Sequence, residues 1–139
     1  MPQYECLLPN TDFMFFKSDV KPEWEDSKNK NGGKWVITLD KNLMKELPIQ
    51  QMWEDALLSL IGCEYEDIDD INGLVLSLRD RLIRFSLWIK RDETARDVIK
   101  RIGTQFRKVC KVPSSLQVVY QLHANALKKH LDNDFIMSI

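Results

Sequence analysis

The sequence has few cysteines, and their spacing suits neither a disulfide framework nor a zinc site. Cys6, Cys63 and Cys110 are odd in number and far apart, so we expect reduced thiols, as in cytoplasmic or nuclear proteins. No apolar run is long enough to span a bilayer, and the start, MPQYECLLPN, lacks the basic residues and apolar stretch of a signal peptide. These absences predict a cytoplasmic protein, with the nucleus as a second compatible compartment.

Motifs for catalysis and for metal binding are also missing. The acidic run at residues 64–73 is not a calcium loop, because Ile71 stands at the third ligand position counted from Asp67. His123 and His130 have no cysteine or carboxylate partner at metal-ligand spacing, and the chain contains no nucleophile elbow or phosphate-binding glycine loop. We therefore expect no enzymatic activity, no metal and no cofactor.

The composition is that of one globular domain. The chain has 139 residues, 44% hydrophobic and 29% charged, which is enough for a single core. Its net charge of −1 hides an asymmetry: residues 1–70 sum to −8 and residues 71–139 to +7. If both halves share one domain, one surface could be basic and suited to phosphate, although mixed surfaces are also common.

Short runs rich in aromatic and β-branched residues predict six strands. The runs are residues 12–17, 34–39, 72–79, 82–90 and 115–122 and the C-terminal FIMSI. A short polar turn joins the third run to the fourth, which is typical of an antiparallel hairpin.

Two amphipathic helices lie between these strands. In the first, the predicted buried stripe is Ile49, Met52, Trp53, Ala56, Leu57, Leu60 and Ile61, with Gly62 as the stop. In the second, the stripe is Ala95, Val98, Ile99, Ile102, Phe106, Val109 and Cys110, between an N-cap at Asp92 and a stop at Pro113. The pattern predicts an α+β fold: a curved antiparallel sheet with the helices on its convex face and a ligand site on its concave face.

The stretch KPEWEDSKNKNGGKW, residues 21–35, combines two tryptophans with several acids and lysines. A guanine presents two adjacent N–H donors on its edge, and the carboxylate of Glu25 could accept both while the indole of Trp24 stacks on the ring. If the base is methylated and cationic, stacking gains a cation–π contribution of about 0.5–2 kcal/mol. The alternatives are that Trp24 anchors the loop to the core and that Glu25 is simply solvated.

The predicted hairpin supplies a candidate anion site. Arg79, Arg81 and Arg84 cluster around its turn and can make charge-assisted hydrogen bonds to phosphate. Strand alternation places Arg84, Ser86 and Trp88 on one face, opposite an apolar row. This pattern is typical of a binding face, although an arginine stacked on a packed tryptophan would give the same pattern.

The sequence resembles a known family, the mRNA cap-binding proteins of the eukaryotic translation initiation factor 4E type. The resemblance rests on PNTDFMFFKSDVKPEWEDSKNKNGGKWVITL, MWEDALLSLIG, INGLVLSLRDRLIRFSLWIK and IGTQFRK. It runs from Pro9 to the C-terminus, and the motif P-x-W-E-D followed by G-G-[KR]-W is specific. The implied function is binding of the 7-methylguanosine 5′ cap of mRNA and its recruitment to the translation initiation machinery.

The resemblance implies a cap-binding residue set. Trp24 would stack on the methylated guanine, Glu25 would pair with its edge, and Trp88 would contact its methyl group. The residues implied at the cap phosphates are Arg79, Arg81, Arg84, Lys34 and Lys129.

The resemblance also implies a partner-binding surface on the first helix. Leu58 lies about 180° from Ile49 around that helix, so we expect it to be exposed. In the family this patch receives a helix from scaffold factors of the 4G type or from repressors that carry a Tyr-x-x-x-x-Leu-apolar motif. Glu54, Asp55 and Gly62 match neighbouring positions of that patch.

Residues 1–8 lie outside the resemblance, and residues 9–139 form the predicted single domain. Family members normally have a longer N-terminal portion, with a strand at the border of the sheet and a second stacking tryptophan. We expect this chain to lack both, which would weaken base stacking by about 1–3 kcal/mol.

Two alternative functions remain open at this stage. One is a reduced family member that acts as a protein-interaction scaffold or regulator with weak or no cap binding. The other is a polyanion binder that uses the basic side of the second helix. That side consists of Arg96, Lys100, Arg101, Arg107, Lys108 and Lys111.

Overall fold

The computed structural model describes residues 10–20, 22, 32–90, 95–123 and 135–139, with the backbone alone at 135–137. Within these ranges the chain forms one antiparallel sheet of six strands, in the order β1-β3-β4-β2-β5-β6. The strands are β1 (Thr11–Phe16), β2 (Gly33–Asp40), β3 (Ile71–Leu78), β4 (Leu82–Ile89), β5 (Val119–Leu122) and β6 (Phe135–Ser138). All six predicted strands are confirmed, although β5 is four residues shorter at its start than predicted.

Three helices accompany the sheet in the described part of the chain. They are α1 (Lys41–Glu46), α2 (Ile49–Ile61) and α3 (Arg96–Val109), and a short 3₁₀ helix covers Ile68–Asp70. Helix α1 was not among the predicted elements, because it buries no residue and so has no apolar stripe. It is specified by its cap, because the Asp40 carboxylate accepts a hydrogen bond of 2.9 Å from the backbone N–H of Leu43.

Helix α2 buries most of the predicted stripe and ends at Gly62, as predicted. Ile61 was predicted to be buried, and this is wrong: 61% of its surface is exposed. At 100° per residue Ile61 lies about 110° from the middle of the stripe, and it stands in the last turn of the helix. It therefore lies outside the buried stripe.

Helix α3 buries Ile99, Ile102 and Phe106, as predicted. Its N-cap is Ala95, which makes no side-chain capping hydrogen bond. The predicted cap, Asp92, lies outside the described residues.

The convex face of the curved sheet packs against α2 and α3. Trp35, the third residue of β2, is fully buried, and its indole Nε1 donates a hydrogen bond of 2.8 Å to the carbonyl oxygen of Ile99 in α3. Gly103 lets α3 approach this indole, because a Cβ atom at that position would lie 2.3 Å from the ring. On β4, Phe85 packs against Trp53 of α2, with ring centroids 6.0 Å apart. The predicted fold class is confirmed.

Candidate functional site

The concave face of the sheet receives the alternate side chains of the same strands. The antiparallel registers bring these side chains into rows across β3, β4 and β2. From one end of β4 to the other, the rows are Gly73–Trp88–Lys34, Val75–Ser86–Val36 and Ser77–Arg84–Thr38. The small side chains of the middle row are buried, so they form a floor between an indole at one end and an arginine at the other.

Trp88 is held between two other rings. Phe16 of β1 meets it edge to face, with ring centroids 5.1 Å apart and planes at 84°. On the other side the imidazole of His123, just after β5, lies 4.2 Å from it at a tilt of 49°. Trp88 is half-buried, so part of the indole remains available to a ligand.

Two cations line the concave face, one at each end of it. Lys34 stands directly across from Trp88, and Arg84 lies four residues from Trp88 along β4, about 13 Å away. Burial lowers the pKa of Lys34 below its ordinary value, and the nearby charge of Arg84 lowers it further, while Asp12 opposes that shift. The charge of Arg84 thus acts unfavourably on charged Lys34, and an anion bound between the two side chains would offset that effect.

Two more predicted phosphate-binding residues lie at the hairpin between β3 and β4. Arg79 forms an ion pair of 3.0 Å with Asp12 and donates a hydrogen bond of 2.9 Å to the carbonyl oxygen of Leu78. Arg81 is exposed in the turn. A face with an indole and several cations suits an aromatic, negatively charged ligand such as a nucleotide.

The structure therefore brings Trp88, Lys34, Arg79 and Arg84 to one face, while Arg81 stands at its rim. Trp24, Glu25 and Lys129 lie outside the described residues. The ligand roles of all these side chains stay predictions. Among the described residues, no cluster of three histidines, cysteines or acids could hold a metal ion.

Sequence reasoning missed Phe16 and His123 as parts of this face. The signal for both was strand alternation: Phe16 pairs with Gly73, and His123, just after β5, is two residues beyond Gln121 and so falls on the same face. His123 was considered only as a metal ligand. Its position beside Trp88 depends on the pairing of β5 with β2, which one sequence does not specify.

The predicted partner surface lies on the other side of the molecule. Leu58 is 56% exposed, as predicted, and Ile61 beside it is also exposed. Glu54 and Asp55 accept hydrogen bonds of 3.0 and 2.9 Å from the glutamine side chains one turn earlier in α2. Gly62 ends the helix next to this patch.

A cavity of about 240 Å³ lies beyond Gly62, between the end of α2 and β1. Its apolar lining includes Phe15, Leu60, Ile68 and Ile71. Among the described strands β1 is at the edge of the sheet, so the cavity opens next to an edge strand.

The basic side of α3 is partly engaged within the protein. The guanidinium of Arg101 donates hydrogen bonds of 2.7 and 2.8 Å to the two carboxylate oxygens of Asp67. Arg107 donates to the carbonyl oxygens of Leu116, Pro113 and Ile139, at 2.7, 2.7 and 2.9 Å. Because these two arginines have internal roles, the polyanion-binding alternative loses two of its six cations.

Within the described residues, no helix is both long and apolar enough to cross a membrane.

Comparison with known proteins identifies the family. The family model described as Eukaryotic initiation factor 4E matches residues 1–136, a range that includes the eight residues left outside the resemblance above. The human protein described as eukaryotic translation initiation factor 4E is 34% identical over 124 residues, which is 88% of this chain and 56% of the human one. This chain therefore belongs to the eukaryotic initiation factor 4E family.

Solved structures give the same assignment. One is the complex of Ascaris suum eIF4E-3 with the m2,2,7G cap, which is 28% identical with a TM-score of 0.88. Another is the complex of C. elegans eIF4E-3 with the 4E-binding protein Mextli and a cap analog, which is 26% identical with a TM-score of 0.86. Each comparison covers all of this chain and 74% or 75% of the other. The chain spans about half the length of the curated relatives it matches.

Proposed function

We propose that this chain binds the 7-methylguanosine cap of mRNA on the concave face of its sheet and brings the capped mRNA to the translation initiation machinery. The observation that supports the proposal best is the fixed spacing of Trp88 from Lys34 and Arg84 on one face. The pairing of β2 with β4 puts Lys34 directly across from Trp88, and four residues of β4 put Arg84 about 13 Å from Trp88. A nucleoside triphosphate can therefore reach both cations from an aromatic contact at Trp88. The proposed function involves binding without a catalytic step. We propose that it takes place in the cytoplasm, where mRNA is translated.

The base end of the proposed site is centred on Trp88. A 7-methylguanine is cationic, so an indole beside its methyl group gains cation–π attraction as well as apolar contact. Trp24 would stack on the base, and Glu25 would accept the two N–H groups of its edge; both roles follow from the family resemblance. Selectivity for the methylated base would come from these contacts.

The proposed phosphate contacts are Lys34, directly across from Trp88, and Arg84, Arg79 and Arg81 toward the other end of β4; the family resemblance adds Lys129. In the free protein burial lowers the pKa of Lys34, and repulsion from Arg84 lowers it further. A bound phosphate would offset that repulsion and accept charge-assisted hydrogen bonds from both side chains. These contacts would supply affinity for any guanine nucleotide, without distinguishing the methylated one.

Recruitment would use the opposite side of the molecule. Leu58 and Ile61 form an exposed apolar patch on α2, where a partner could dock the apolar side of a helix. We propose as partners scaffold factors of the 4G type and repressors that carry a Tyr-x-x-x-x-Leu-apolar motif. The sheet separates the two surfaces, so a cap and a partner could be bound together.

Retention on immobilised 7-methyl-GTP tests the proposal. The chain should bind the resin and be released by free 7-methyl-GTP at a concentration at which GTP releases little of it. An Arg84→Gln variant should bind weakly, whereas Arg96→Gln, which removes an exposed arginine from α3, should behave as the wild type. Equal release of the wild type by both nucleotides would contradict methyl-specific cap binding.

A second candidate function is a protein-interaction regulator of the same family with weak cap binding. The exposed patch on α2 and the Asp12 carboxylate, which pairs with Arg79, are compatible with it, but the comparisons with known proteins do not favour it. This candidate predicts binding of a motif-containing peptide together with equal, weak affinity for methylated and unmethylated nucleotides.

A further inference from the structure

The indole of Trp88 owes its orientation to the two rings that flank it. Phe16 reaches it from β1, across the intervening strand β3, and His123 reaches it from the end of β5, across β2. Gly73 is in register with both Phe16 and Trp88, and a Cβ atom there would lie 2.4 Å from the phenyl ring. On the other side, the backbone N–H of His123 donates a 3.1 Å hydrogen bond to the carbonyl oxygen of Gly32.

His123 is buried in an uncharged form. Only 2% of its surface is exposed, and burial, with a smaller effect of the Lys34 charge, lowers its pKa from 6.5 to about 4. Among the described residues, Lys34 on β2 is the charged group that acts on it, while β4 presents the uncharged Trp88. The imidazole is thus a neutral ring at neutral pH and at mildly acidic pH.

Among the described residues, no hydrogen bond of the Trp88 indole or the His123 imidazole explains why these two rings lie together. Within the described part of the chain, the indole Nε1 of Trp88 and the Nε2 of His123 are buried and have no hydrogen-bond partner. Unpaired buried polar atoms are costly, so a position that keeps them calls for a compensating role. The contact between the two rings is the interaction that His123 makes with the proposed base site.

We propose that His123 is a positioning residue for methyl recognition: its neutral ring, with Phe16 on the other side, holds the indole of Trp88 in the orientation that contacts the cationic base. A protonated imidazole at this place would repel the methylated base and compete with it for the electron-rich indole. A missing ring would let the indole rotate. This inference rests on the proposed cap-binding function, and it separates methyl selectivity from the phosphate contacts.

The test is the ratio of the dissociation constants for GTP and 7-methyl-GTP, measured by calorimetry on the full chain. In His123→Ala the ratio should fall by about two- to tenfold, the size expected for one lost ring contact, while the GTP affinity stays within error. His123→Phe, which keeps a neutral ring, should retain the wild-type ratio. Circular dichroism and the melting temperature establish that each variant is folded.

The wild-type chain supplies a second readout that needs no substitution. Its selectivity ratio should stay level from about pH 7 to about pH 5, because His123 remains neutral over that range. An ordinary histidine would titrate there, so a ratio that changes with a midpoint near 6.5 would overturn the proposal.

The outcomes distinguish the inference from the function on which it rests. A wild-type chain without methyl preference would overturn both. A wild-type preference that His123→Ala retains, or that falls only together with the GTP affinity, would overturn the role of His123 and leave cap binding intact. If His123→Ala does not fold, the His123→Phe ratio and the pH profile decide: loss of selectivity in His123→Phe would also overturn the proposal.

Discussion

Arg79, at the end of β3, and Asp12, on the neighbouring strand β1, form an ion pair of 3.0 Å at the basic end of the concave face. Both side chains are slightly more than a third exposed, at 39% for Arg79 and 34% for Asp12. Arg79 is one of the residues proposed to bind the cap phosphates. In the free chain a protein carboxylate therefore holds a cation that a phosphate would need.

Removing this carboxylate should strengthen nucleotide binding. In Asp12→Asn, Arg79 is released and one negative charge leaves the site, so the affinities for 7-methyl-GTP and GTP should both rise by about two- to fivefold at low salt. Asp97→Asn, which removes an exposed acid from the first turn of α3, is the matched control. A change in one nucleotide alone, or no change in either, would show that Asp12 does not compete with phosphate.

Leu58 should be essential for the proposed partner helix and irrelevant to the cap. Leu58→Ala should weaken binding of a Tyr-x-x-x-x-Leu-apolar peptide by about tenfold or more, as expected for a central apolar contact of a helix groove. Lys45→Ala, in the exposed last turn of α1, should leave peptide binding unchanged. Fluorescence anisotropy of a labelled peptide measures both, and an unaltered affinity in Leu58→Ala would exclude this patch as the docking site.

Gly103 should tolerate no side chain. In Gly103→Ala the new Cβ atom would lie 2.3 Å from the fully buried indole of Trp35. The helix propensity of alanine favours the variant by about 1 kcal/mol, but overpacking at a site that cannot yield costs about 1–3 kcal/mol or more. Since the clash is with a ring inside the core, we expect a lower free energy of unfolding. Urea unfolding measures it, and Thr104→Ala, at the exposed next residue, should change it little.

His123 should give the chain an acid-sensitive stability. Its pKa falls from 6.5 in the unfolded chain to about 4 in the folded one, so between these values the folded chain binds fewer protons. The stability that the neutral imidazole contributes is fully present above about pH 6.5. As the pH falls toward 4, the free energy of unfolding should decrease by about 3 kcal/mol in total. Urea unfolding at several pH values, compared with His123→Phe, isolates this effect. Parallel pH dependences in the two proteins would contradict the buried neutral imidazole.

The fold could be predicted from the sequence wherever local signals were strong. Alternating apolar residues and the short turn at the hairpin located β3 and β4, and Gly62 marked the end of α2. The predictions failed at helix α1, which has a capping residue but no apolar stripe, and at Ile61, which is exposed in the last turn of α2. Helix α1 has no buried side for periodicity to detect, and Ile61 lies about 110° from the middle of the stripe, so helical periodicity itself excludes it.

The candidate site was predictable only in part, for a related reason. Alternation along β4 alone places Arg84 and Trp88 on one face, and the sequence supplies that alternation. The contacts of Trp88 with Phe16 and His123 join three strands that are distant in sequence, and they depend on a strand order that one sequence does not specify. The ion pair of Asp12 with Arg79 likewise follows from the pairing of β1 with β3.

The most direct test of the account is a tryptophan-fluorescence titration of the chain with 7-methyl-GTP and, in parallel, with GTP. The account predicts saturable quenching with a clear preference for the methylated nucleotide, and loss of that preference in Trp88→Leu and in Trp24→Ala while each variant remains folded. Equal responses to the two nucleotides, or no response from a folded sample, would contradict cap binding by this chain.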